Sequence, residues 1–277
     1  MAGFFSIFRG NLTLTIGTIM LLLIVLMAIF APYLGTVDPS TIRAELRGVG
    51  PSAEHWLGGD MLGRDIYSRA LYGARVSLIV GFGVALLSTV VGVTLGLLAG
   101  FVRWADPIIM RVMDGLMAIP TILIAIAMIA VAGVSLTNVI ISITLAEVPR
   151  LVRLVRASVL SLREQPYVEV AAASGASKTR IILLHLLPNA TAPIIVTVTY
   201  QIALAILFEA GLSFLGVGIP PTIPTWGNMM SEGRALWLVK PHLVMIPAAF
   251  LSVTILAINL IGDGLRDAFD PRMKKRA

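Results

Sequence analysis

The chain has 277 residues, 57% of them hydrophobic and 13% charged, and its mean hydropathy of +0.93 excludes an ordinary soluble domain. Its net charge of +6 comes from basic residues lying between and after apolar runs, which reads as membrane topology and not as nucleic-acid binding. With no cysteine, it has no disulfides, no cysteine-metal sites and no cysteine nucleophile.

The first apolar run extends from Leu12 to Leu34 behind Arg9. It exceeds the roughly 7 to 15 apolar residues of a signal peptide, and Pro32-Tyr33 is a poor cleavage context, so a retained helix is expected. Gly35 to Gly73 is too polar to span, and His55 to Arg75 interleaves acids with arginines, which places this stretch outside the bilayer. These features divide the chain into an N-terminal helix with an extracytoplasmic segment, 1–74, and a core with five further spans, 75–277.

The second span is expected from Val76 to Phe101, with Gly92, Gly96 and Gly100 on one stripe that lets another helix approach closely. The third covers Ile108 to Ala132, with Asp114 near its start and Pro120 expected to bend it. The fourth, Leu136 to Leu160, contains Glu147 and ends in Arg150, Arg153 and Arg156. The fifth follows Pro188 to Phe214 and contains Glu209, and the sixth covers Leu243 to Ile261. The expected fold is thus an all-α integral membrane protein with six transmembrane helices.

With the N-terminus inside, seven of the 21 basic residues fall outside: Arg43, Arg47, Arg64, Arg69, Arg75, Arg234 and Lys240. The other fourteen fall on the cytoplasmic side, a bias that puts both termini in the cytoplasm.

One polar interruption, Ser161 to Asn189, has helical grammar of its own. Pro166 suits a first turn, Glu169 puts negative charge near the helix start, and Ala171, Ala172, Ala173 and Ser174 continue it with little bulk. Gly175 is expected to close this helix in the left-handed conformation. Ser177 should cap a second helix running through His185 until Pro188 stops it.

The order Glu169, Ala171, Gly175, then Leu187 and Pro188, resembles the EAA loop of binding-protein-dependent ABC importer permeases. Val170 departs from the pattern, where alanine is usual; His185 stands where isoleucine is common, although the peptide-type branch often has histidine there. His55 to Leu78, Pro224 to Arg234 and Asn259 to Arg272 are similar to the C-type permease subunit of the dipeptide/oligopeptide/nickel branch. The resemblance implies a type I importer permease fold, a second permease subunit as heterodimeric partner, two ATPase subunits or domains, and an extracytoplasmic substrate-binding protein. It implies a bacterial or archaeal cytoplasmic (inner) membrane location, with a cytoplasmic loop that docks in an ATPase groove. No cofactor is expected in this chain, since ATP and magnesium belong to the ATPase partners.

Other motifs fail on chemistry. Gly175 to Thr179 lacks the glycine that a phosphate-binding loop needs before its lysine, Gly211 to Gly216 is not a serine-hydrolase elbow, and His55, His185 and His242 have no metal-ligand spacing. Nothing supports catalysis. Asp114, Glu147, Arg150 and Glu209 are candidates for the pathway or for gating, against a blander role in helix packing. An ion-coupled secondary transporter is the rival reading, but the broken helices in repeated halves that it would show are not evident. Short peptides lead as cargo, with nickel or metal chelates, glutathione and opine-like compounds as alternatives.

Overall fold

The computed structural model describes residues 11–269. Arg9, Arg272, Lys274, Lys275 and Arg276, counted above for orientation, lie outside the described residues. Among the described residues ten α-helices carry the fold: α1 (Leu12–Phe30), α2 (Ile66–Phe101), α3 (Ala105–Met117), α4 (Thr121–Ala132), α5 (Leu136–Arg163), α6 (Pro166–Ala173), α7 (Lys178–Ile181), α8 (Leu187–Phe214), α9 (Trp226–Gly233) and α10 (His242–Phe269).

Helix α1, α2, the continuous α7–α8 unit and α10 are each long and apolar enough to cross a membrane. A fifth candidate is the pair α3 and α4, which passes the same test together and bends by 91°. Pro120 was expected to bend this span, but it breaks it. The residue before a proline is pushed out of the helical region, and Ala118, Ile119 and Pro120 separate the two helices. Helix α5 has 28 residues, yet its run of Glu147, Arg150, Arg153 and Arg156 keeps it out of that set.

Boundaries differ from expectation at the start of α2, at Pro188 and at the end of α10, which runs on from the expected Ile261 to Phe269. Helix α2 starts at Ile66, where Asp65 accepts from the Ser68 amide at 2.8 Å, so the helix reaches well beyond the apolar run beginning near Val76. Its 36 residues give a length of about 54 Å against a hydrocarbon core of about 30 Å. It therefore projects out of the bilayer.

Nor does Pro188 stop the helix before it. The regular helix from Ser177 ends at Ile181, a π-turn covers Ile182–Leu186, and the chain continues as helix to Phe214. An interior proline lacks the N–H that would bond four residues back, and its ring crowds that carbonyl. The carbonyl concerned is that of Leu184, inside the π-turn, so the wider turn re-registers the ladder where Pro188 enters.

The core is a set of helix contacts made close by small residues. On α2, Gly92, Gly96 and Gly100 lie against Leu151, Val155 and Val159 of α5. At the other edge of the molecule, Gly17 of α1 lies against Ala257 and Leu260 of α10, and Asn11 donates to the Gly264 carbonyl at 2.9 Å. A third close contact is made by Gly227 of α9 on Ala210 of α8.

Candidate functional site

The polar interruption folds as a compact helix-turn-helix. Helix α6 has Pro166 at its first position and Glu169 in its first turn. It closes in a full Schellman arrangement: the Ala176 amide donates to the Ala171 carbonyl at 3.1 Å and the Gly175 amide to that of Ala172 at 3.0 Å. Gly175 has φ of +80° and open space around it, so glycine is required there by backbone conformation and not by crowding. The Ser177 hydroxyl then accepts from the Arg180 amide at 3.3 Å, capping α7.

This unit has two different faces. Val168, Ile181 and Leu186 are buried in a cluster with Leu151, Val155 and Val159 of α5, and Leu187 packs against its edge. Glu169, Val170, Ala172 and Ala173 are exposed on the opposite side, as are Pro188 and the Leu183-Leu184 pair. His185 lies in the π-turn with its ring 6.4 Å from that of Tyr167. The inner face therefore rests on the same valines of α5 that meet the glycine stripe of α2, so a displacement of the loop bears directly on the α2–α5 contact.

The four charged candidates do not converge. Asp114 of α3 accepts from Arg153 of α5 at 2.8 Å, with both side chains about half exposed. Glu147 is buried and faces the exposed Arg150 at 3.7 Å on the same helix. Glu209 is fully buried on α8, accepting from the hydroxyls of Ser213 at 2.8 Å and Ser77 at 3.3 Å. Between these sites, Gln201 donates to the Glu147 carbonyl at 3.2 Å and accepts from the Ser88 hydroxyl at 3.2 Å, which joins α2, α5 and α8 through polar groups.

Sequence reading missed two features. Asp106 of α3 holds Arg156 of α5 through two bonds of 2.5 and 2.7 Å, so α3 is strapped to α5 at two points. Outside the membrane core, Asp60, Arg64, Arg69 and Glu232 form a largely buried network with contacts of 2.6 to 3.2 Å. The only available signal was the charge-dense composition of the two segments concerned.

Residues 92–275 match the family described as the binding-protein-dependent transport system inner membrane component, and residues 2–47 match the N-terminal TM domain of oligopeptide transport permease C. The chain belongs to this inner membrane component family. A dipeptide transport system permease protein, DppC, of Alkalihalophilus pseudofirmus is 45% identical over 271 residues, covering 98% of this chain and 89% of the relative. A glutathione transport system permease protein, GsiD, of Pectobacterium atrosepticum is 42% identical over 268 residues, covering 96% and 89%. In three dimensions, the inward-facing MetNI methionine ABC transporter superposes with a TM-score of 0.61 at 19% identity, over 73% of this chain and 97% of that one.

The permease is therefore a multi-pass inner-membrane subunit of an ABC importer, with the all-helical fold of a type I importer permease. Its place in such a system is that of the membrane component. The secondary-transporter reading is set aside by family membership.

Proposed function

We propose that this permease forms half of a heterodimeric pathway importing di- and oligopeptides, with a second permease subunit, two ATPase subunits or domains and an extracytoplasmic binding protein. The observation that carries the proposal is the two-faced helix-turn-helix at Pro166 to Pro188. Its apolar side is anchored on α5, and its small-residue side, with Glu169 at the helix start, is left open to a groove on another protein. ATP and magnesium act on the ATPase partners. Closure of the ATPases pushes the loop, and α5 passes the displacement to α2 and to the strapped α3, switching the pathway between outward and inward openings.

In this reading α5 is the sixth span. Val139, Ile143, Leu151, Val152, Val155 and Val159 are buried against neighbouring helices, while Arg153 and Arg156 are neutralised by Asp114 and Asp106. Low apolarity is tolerated where a helix faces protein and not lipid. The basic-residue bias puts both termini and the loop in the cytoplasm. Asp114, Glu147, Arg150 and Glu209 act in helix positioning and gating, since each is engaged by a partner within this chain.

Short peptides are the cargo favoured by the relatives named for dipeptide and glutathione transport. The test is reconstitution of the permease with its cognate subunits and binding protein in liposomes, followed by uptake of labelled dipeptides, tripeptides, glutathione and a nickel chelate. ATP-dependent peptide accumulation is expected. Accumulation of the chelate alone would overturn the cargo assignment and leave the permease assignment standing.

A further inference from the structure

An apolar groove of about 500 Å³ runs between the end of α1 and the first membrane turns of α2. Val25 and Ala28 line one wall and Leu78, Ile79 and Phe82 the other, with Ile79 and Phe82 exposed. Arg75 is the one charged residue on its lining. Its Nε donates to the Ala28 carbonyl and its Nη2 to that of Ile29 at 2.8 Å, while the guanidinium lies 5.0 Å from the centre of the Tyr72 ring. Among the described residues no carboxylate lies within ion-pair distance of Arg75, and its third nitrogen, Nη1, has no hydrogen-bond partner.

We infer that this groove is a binding site for one phospholipid with an anionic headgroup, its acyl chain along Leu78, Ile79 and Phe82 and its phosphate at Arg75. Depth and charge argue together. Arg75 sits beside the C-terminal end of a membrane helix, and Tyr72 lies against it one turn nearer the start of α2, as tyrosines do at the headgroup boundary. An arginine at that level with Nη1 free to donate and no acid partner is complementary to a phosphate oxygen, since a charge-assisted bond to phosphate is stronger than a neutral one. The apolar walls below it give a chain somewhere to lie that side chains of this protein do not fill. A lipid there would extend the apolar contact in which Ile24 and Ala28 of α1 already share a buried cluster with Ala74 and Leu78 of α2.

Native mass spectrometry of the assembled transporter tests this, using phosphatidylglycerol and phosphatidylcholine with identical acyl chains. The wild type should retain phosphatidylglycerol over phosphatidylcholine by about five-fold, the ratio that one basic residue near an anionic surface supplies. Arg75→Gln should bring the ratio near one, and Arg75→Lys, which keeps the cation but gives up the two-carbonyl grip, should keep most of it. Ile79→Trp, which fills the groove, should lower retention of both lipids. An unchanged ratio in Arg75→Gln would overturn the inference. So would efficient cross-linking of a cysteine at position 79, in this cysteine-free chain, to the second permease subunit, because a protein helix would then occupy the groove.

Discussion

Gly96 and Val155 are so close that a Cβ placed on the glycine would stand 2.5 Å from the valine Cβ, a separation real side chains do not reach. The neighbouring pairs are nearly as tight, at 2.9 Å for Gly92 with Leu151 and 2.7 Å for Gly100 with Val159. Three glycines at four-residue spacing thus let α2 and α5 meet backbone to side chain, and the same α5 residues carry the inner face of the Pro166 to Pro188 helix-turn-helix.

Replacing Gly96 with leucine should therefore force the two helices apart. Overpacking of a filled contact costs about 1–3 kcal/mol, so the purified variant should unfold at a clearly lower temperature or fail to assemble. Leu98→Ala, on the exposed side of the same helix, should change little. Equal, small effects of the two substitutions would contradict the contact.

Arg69 is almost fully buried between Asp60 and Glu232, and Asp60 also holds Arg64 at 2.6 Å. Taking this guanidinium out of water is costly, and the two carboxylates offset that cost. Asp60→Ala should destabilise the protein by about 3 kcal/mol, since it removes the buried partner that both arginines share and leaves them only the partly exposed Glu232. Glu232→Gln should cost less, since Glu232 is partly exposed. Thermal unfolding of the two variants in detergent checks the order, and a stable Asp60→Ala protein would contradict it.

This network also shows what a sequence reveals and what it withholds. The apolar runs were legible because a bilayer imposes length and composition on each span, and the glycine stripe because four-residue spacing fixes a helix face. The closure at Gly175 was legible for the same local reason: a left-handed residue after an Ala-rich turn favours glycine. Contacts between distant segments were not. Nothing local in the sequence ties Asp106 to Arg156 or Asp60 to Arg69 and Glu232, because those pairs are set by how helices pack. The run through Pro188 was missed because proline reads as a stop, and only the π-turn at Ile182–Leu186 lets it sit inside a helix.

The orientation is open to direct test, since Ser52 and Ser177 are both exposed in a chain without cysteine. Single cysteines at these positions should react from opposite sides of the membrane. In intact cells an impermeant maleimide should label the Ser52→Cys protein and spare Ser177→Cys until the membrane is opened. Labelling of both before opening would overturn the topology.

The central claim is that Pro166 to Pro188 transmits ATPase movement to the spans. The most direct measurement compares Gly175→Val and Glu169→Lys with the wild type for ATPase co-purification and for cargo-stimulated ATP hydrolysis coupled to uptake. A β-branched residue at φ of +80° distorts the turn that aims α6, and a lysine in the first turn reverses the favourable charge at the helix start. Both variants should reach the membrane and bind the second permease, because neither residue is in the buried cluster on α5. The account predicts that they lose ATPase association or hydrolyse ATP without uptake. Normal uptake with normal ATPase co-purification in both variants would contradict it.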